Sequence, residues 1–155
     1  MRAHACTAGL LVALALSACE NESAPPAPAI AGDAVRGRAA AAKKCELCHK
    51  VDGSGGTLAP SIDESLAKVE GLLADYPSRA RDFAQRDAHG YARSRREIER
   101  IVALPNARER FEPWLLAYLG DPKFDDPSNR MQASVLTPQE LADVVAWLGS
   151  RRDAH

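Results

Sequence analysis

The 155-residue sequence has few aromatics, few sulfurs and no dominant charge. Aromatic residues make up 5% of it, and methionine occurs twice. So few large rings leave a modest side-chain core for a chain of this length. Acids and bases nearly cancel, to a formal charge of −1, and no long like-charge run occurs. That balance gives no sign of a nucleic-acid partner. No apolar run reaches the roughly 20 residues that a spanning helix needs. No segment alternates apolar and polar residues in the manner of a strand, and no repeat is present. Cysteine is scarce as well. There are four, and only Cys45 and Cys48 form a close pair.

What is present begins at the N-terminus. Arg2 precedes an apolar run, Ala8–Leu16, with small residues behind it. This is the pattern of an export signal. The run closes on Leu16, Ser17, Ala18 and Cys19, which resembles the lipobox of bacterial lipoproteins. The resemblance implies that residues 1–18 are removed and that Cys19 takes lipid. The alternative is an ordinary signal with Cys19 unmodified. Glu20 stands after the cysteine in place of aspartate, which by resemblance to sorting rules leans toward the outer membrane and a periplasmic orientation. Residues 19–31 then hold Pro25, Pro26 and Pro28 among alanines, the composition of a semi-rigid tether. At about 3.1 Å per residue, the stretch 21–31 reaches about 34 Å. Processing would remove Met1, His4 and Cys6. One methionine, Met131, then remains, with Cys45, Cys48 and the histidines 49, 89 and 155.

From residue 32 to 155 the pattern is that of an all-α domain. Asp33 caps an alanine-rich helix expected over residues 34–49. A loop with three glycines and Pro60 follows. Ser61 and Glu64 make a capping box for a second helix with Leu66, Val69 and Leu73 on one face, and Pro77 as its stop. Residues 78–91 are polar and show no clear period. A third helix is expected over 94–104, with Ile98, Ile101 and Val102 at helical spacing and Pro105 as its stop. A short fourth is expected over 112–119, with Pro113 near its start and Gly120 after its end. Thr137, Pro138 and Glu140 open the last, whose stripe is Leu141, Val144, Val145 and Leu148 and whose stop is Gly149. About five short helices bury little by themselves. A large apolar cofactor at the centre would supply what the side chains do not.

The sequence CELCH, residues 45–49, bears the chemistry. Three readings compete. A structural zinc site needs four ligands, and no second Cys pair exists. A dithiol redox site ordinarily opens a helix after a strand, whereas this motif ends a helix. Cys-x-x-Cys-His is also the attachment motif of c-type haem. Residues i and i+3 share a helix face, so both sulfurs reach the two vinyl groups of one porphyrin. The following histidine then lies beneath the ring with a nitrogen toward the iron. The export signal favours this third reading, because such attachment occurs outside the cytoplasm.

Taken together, CELCH, GGTLAPSI and NRMQASVLTPQELADVVAWLGS make residues 32–150 resemble the bacterial class I cytochromes c. The resemblance implies the cytochrome c fold, one covalent haem c and electron transfer. It implies thioethers from Cys45 and Cys48, with His49 as proximal ligand. It puts Pro60 where a carbonyl accepts from the proximal imidazole, and Ile62 where a leucine commonly touches the haem. Met131 matches the distal ligand, and it is also the one methionine left after processing. Two departures stand out: Gln132 follows Met131 where the family has proline, and residues 67–110 hold surplus length.

The expected function is therefore a mono-haem carrier of single electrons between respiratory-type redox partners outside the cytoplasm, held to a membrane through Cys19. With both axial positions filled, it is expected to be a transfer protein and not an enzyme. The rival is a haem sensor or catalytic subunit in which a labile Met131 yields to a small ligand. Lys43, Lys44 and Lys50 flank the motif and could steer an acidic redox partner. His89 and His155 are read as surface residues.

Overall fold

Asp33 and Thr137 each begin a helix, and those two helices cross to close the molecule. The structure, a computed structural model, describes residues 30–154. The elements in chain order are α1 (Ala34–Lys44), β1 (Lys50–Val51), β2 (Ser54–Gly55), α2 (Ile62–Ala74), α3 (Tyr76–Arg86), α4 (Ala88–Val102), α5 (Ala107–Gly120) and α6 (Pro138–Arg152). The fold is all-α, with six helices among the described residues instead of about five, and one two-residue hairpin.

The crossing of α1 and α6 is close because α1 carries a glycine, Gly37, where it meets α6. A Cβ on Gly37 would overlap the backbone carbonyl of Asp143 and stand 2.9 Å from Trp147 Cβ. Around this contact the Asp143 carboxylate, 3% exposed, collects donors from both sides. Arg36 gives it two hydrogen bonds, at 2.8 and 3.0 Å. The backbone N–H of Asp33 gives another at 2.7 Å, and Gln139 Nε2 a fourth at 2.9 Å. A buried carboxylate is tolerable only when so supplied. The Arg36 hydrogen bond leads in holding this carboxyl well below the usual carboxylate range, and the Asp33 and Gln139 bonds add to it.

Asp33 also receives N–H bonds from Val35 and Arg36, so it caps α1 as expected. α1 stops at Lys44, and Cys45 is its C-cap. Cys48 and His49 still donate their N–H groups to the Cys45 carbonyl, at 3.0 and 2.8 Å, so the motif forms one further turn. Both capping boxes form, Ser61 with Glu64 on α2 and Thr137 with Glu140 on α6.

Three boundary signals act differently from expectation. α2 ends at Ala74, and Pro77 lies in the first turn of α3, where proline lacks a helical partner in any case. α5 begins at Ala107, because the Asn106 side chain accepts from Glu109 N, so Pro113 sits inside it. Gly149 is passed, and α6 runs on to Arg152, with an open surface around the glycine. The polar stretch 78–91 is helical too. It forms most of α3 and the start of α4.

The core joins Leu66 and Leu73 of α2, Phe111 and Leu115 of α5, and Val144, Val145 and Leu148 of α6. α3 and α4 pack on each other through Ala80, Phe83 and Tyr91, with the two rings edge to face at 6.0 Å. Ile98 and Ile101 anchor α4 in the same core. Residues 67–110 thus hold the end of α2, the α3–α4 pair and the start of α5. Arg110, buried on α5, donates to the Leu73 carbonyl at 3.0 Å and so caps the C-terminus of α2.

Candidate functional site

The turn after α1 carries the two thiols three residues apart and the imidazole directly after the second. Cys45 is half-buried and Cys48 exposed, and both are free. Burial is the larger cause raising the Cys45 thiol above its ordinary value, and the neighbouring Cys48 adds to it. The position at a helix C-terminus also disfavours a thiolate. A dithiol redox nucleophile needs the opposite environment. Among the described residues no group of three His, Cys, Asp or Glu side chains gathers as a metal site.

His49 Nδ1 lies 2.6 Å from the carbonyl oxygen of Pro60. A carbonyl only accepts, so Nδ1 carries the proton, and the lone pair is left on Nε2. This bond sets the ring's tautomer and orientation. The loop that brings Pro60 into place is built by glycines. Asp52 and Gly53 both have positive φ, 50° and 83°, which makes the tight turn between β1 and β2. Gly56 N donates to Glu46 O at 2.7 Å, and Ala59 N to Cys48 O at 3.1 Å. A Cβ on Gly56 would come within 2.6 Å of the Leu47 carbonyl, and one on Gly55 within 2.5 Å of the His49 carbonyl. The loop therefore lies directly on the backbone of the motif. Asp52 pins the hairpin to the crossing, since Arg38 of α1 and Arg151 of α6 both bind its carboxylate. Those two bonds, Arg38 first, hold the Asp52 carboxyl below its usual range. Ile62, the first residue of α2, is buried in the core directly after this loop.

Met131 sits in the loop between α5 and α6, partly buried against the core. Its backbone N–H donates to Asn129 Oδ1 at 2.9 Å. Asn129 Nδ2 in turn donates to Tyr118 Oη at 3.1 Å. Tyr118 is stacked on Trp114, with centroids 4.6 Å apart. Trp114 Nε1 donates to Asp125 at 2.8 Å, and Phe124 is buried beside it. Burial leads in pushing the Asp125 carboxyl up from its ordinary value, against the Trp114 bond that lowers it. Trp114 and Tyr118 of α5 and Asn129 of the loop itself thus fasten the methionine loop, and the sequence pattern gave none of them this role. A signal was there: an asparagine two residues before the methionine can fold back on its backbone, and Trp114 and Tyr118 are one helical turn apart.

Three large aliphatic side chains stand open in the segments that carry the motif, Pro60 and Met131. They are Leu47, Leu58 and Val135, at 75%, 85% and 86% exposure. The donor set fits a covalently held haem: two unpaired thiols one turn apart, an imidazole with Nε2 free, and a thioether in a pinned loop. The structure brings His49 and Pro60 together and sets Cys45, Cys48 and Ile62 beside them in the chain. Cys19 lies outside the described residues. Lys43, Lys44, Lys50 and His89 are all exposed.

The model of the family described as Cytochrome c matches residues 34–152. No curated protein and no solved structure matches the chain.

Proposed function

On the premise that the chain belongs to the cytochrome c family, we propose that it is an exported, lipid-tethered carrier of single electrons. Membership makes it a haem-based electron carrier with haem c as cofactor. Our finer reading is one haem, thioethers at Cys45 and Cys48, and axial ligation by His49 and Met131. When bound, the haem supplies an iron that alternates between two oxidation states, and His/Met ligation favours the reduced one relative to two histidines. The chain's residues do the remaining work. Pro60 holds His49 by its Nδ1 proton and leaves Nε2 free to bind iron. Asn129 and Tyr118 fix the backbone of Met131, which offsets the absence of a proline at Gln132. Leu47, Leu58 and Val135 exclude water from the covered face and offer its apolar rim to a redox partner. Lys43, Lys44 and Lys50 lie beside that rim and steer an acidic partner onto it.

The observation that bears most weight is the His49–Pro60 bond, which leaves a ligand nitrogen free next to two unpaired thiols. The test is Met131→Ala in the haem-loaded protein. We expect loss of the weak far-red absorption of a methionine–iron bond, a lower reduction potential, and rapid carbon monoxide binding that the parent protein lacks. An unchanged spectrum and potential would refute Met131 as a ligand. Rapid, complete carbon monoxide binding by the parent at neutral pH would favour the sensor or catalytic reading. Among the described residues no helix is long and apolar enough to cross a membrane. The anchor is assigned to lipid on Cys19, and Cys19→Ala is expected to abolish lipid labelling. Persistent labelling would place the lipid elsewhere.

A further inference from the structure

We infer that the α3–α4 pair is a docking surface for anionic phospholipid headgroups, distinct from the face that carries His49. Residues 76–102 hold seven arginines, no lysine and four acids, a net +3 in a chain whose total is −1. The rest of the chain is therefore at −4, and the pair holds its whole positive excess. The charge is also arranged. α4 buries Gly90, Ile98 and Ile101, which turns His89, Arg93, Arg96 and Arg100 to solvent at steps of four, three and four residues. Those steps follow one face of a helix over about 16 Å, at about 1.5 Å per residue.

Several of these guanidinia are uncommitted. Arg95 is taken up by Glu99 and Arg100 by Glu97. Arg79, Arg86, Arg93 and Arg96 are all exposed, and none has an ion-pair partner among the described residues. Arg93, Arg95 and Arg96 line an open recess on α4 with Ser94, and the two glutamates that border it, Glu97 and Glu99, are those already paired with Arg100 and Arg95. Planar guanidinium groups bind phosphate oxygens two at a time, which ammonium groups do not.

A phosphate-bearing surface suits this face better than an acidic protein does. Protein interfaces are organised around an apolar or aromatic centre. The exposed large apolar side chains among the described residues are Ile30, Val35, Leu47, Leu58 and Val135, and none lies on α3 or α4. A headgroup layer needs no such centre, since basic side chains near it are held by charge alone. α3 packs on α4 and α4 on α5, while α1 packs on α6, so the arginine face and the cysteine motif belong to different layers. Contact through α4 would hold the domain flat on the membrane and leave Leu47, Leu58 and Val135 available to a redox partner. This inference does not need the lipid on Cys19.

The test uses the haem-loaded mature chain with Cys19→Ser, exported behind an ordinary cleavable leader so that no lipid contributes. It is sedimented with vesicles of phosphatidylcholine alone or with a third of phosphatidylglycerol, at low salt. Binding is expected on the anionic vesicles only, and is expected to be lost in 0.5 M salt. Arg93→Gln with Arg96→Gln should weaken it about thirtyfold, at about fivefold for each basic group near the surface. An unchanged haem spectrum and helical content verify folding of the variant. Equal binding to both vesicles, or no loss in the double variant, overturns the proposal. So does loss in Lys43→Gln with Lys44→Gln instead, which moves the surface to the motif. Binding to a polyglutamate resin but not to anionic vesicles would show an acidic protein to be the partner and overturn it as well.

Discussion

Two helix pairs in this molecule are joined by opposite means. α1 and α6 meet backbone to backbone at Gly37, around a buried carboxylate with four donors. α3 and α4 meet through side chains, Phe83 against Tyr91 and Ala80. The first pair has no adjustable part, because carbonyl and glycine cannot rotate away from each other. The second can accommodate change by moving a ring or a carboxylate. The difference follows the function. The rigid crossing carries CELCH at the end of α1 and, through Asp52, the loop that presents Pro60. The pliant pair lies in the surplus length and carries the arginine face.

One substitution made at both crossings separates them most sharply. Gly37→Ala would drive a methyl into the Asp143 carbonyl, and α1 and α6 would have to part. We expect a loss of about 3 kcal/mol or more, or no folded protein, by denaturant unfolding of the haem-loaded chain. An unaffected midpoint would mean that the crossing is not close. Asp143→Asn keeps the volume but removes the charge that Arg36 and Asp33 N serve. The carboxyl is held below its unfolded value, so its contribution is full above that value and is lost as pH falls through the folded one. The variant should therefore melt earlier than the parent at pH 7, and the gap should narrow only below about pH 4. A gap that widens on acidification would contradict this account.

The same methyl at Gly90 has a far smaller expected effect. Its nearest neighbours are the Asp87 carboxylate and, at 3.1 Å, the edge of Phe83. Asp87 caps α4 by accepting from Gly90 N, so displacing it costs about 1 kcal/mol. The gain in helix propensity from glycine to alanine is about 1 kcal/mol in the other direction. Gly90→Ala should leave stability within about 1 kcal/mol of the parent. A cost equal to that of Gly37→Ala would erase the distinction between the two pairs.

The parts legible in the sequence are those whose signal is local. Asp33, Ser61 with Glu64, and Thr137 with Glu140 bond within four residues, and each starts a helix where it was expected. The motif and the His49–Pro60 pairing lie within sixteen residues of each other along the chain. What stayed hidden depends on distant partners. α3 looked shapeless because its few apolar residues, Tyr76, Ala80 and Phe83, show their helical spacing only against a neighbour. Pro113 misled because Asn106 starts α5 earlier, inside a run rich in charge. The hairpin is too short for any alternating pattern, although Asp52-Gly53 is a turn signal in its own right. The Tyr118–Asn129 bond joins residues eleven apart on different elements, which spacing alone does not reveal.

The Asp33–Asp143 bond spans 110 residues, nearly the whole described chain. A chain synthesised from its N-terminus delivers α1 and its cysteines long before α6 exists to pair with α1. The closing contact is non-local, and non-local contacts form late. The end of α1, with the cysteine motif behind it, therefore stays unfastened until the last helix pairs with it. The order of the elements along the chain sets when the two ends of the domain can be joined.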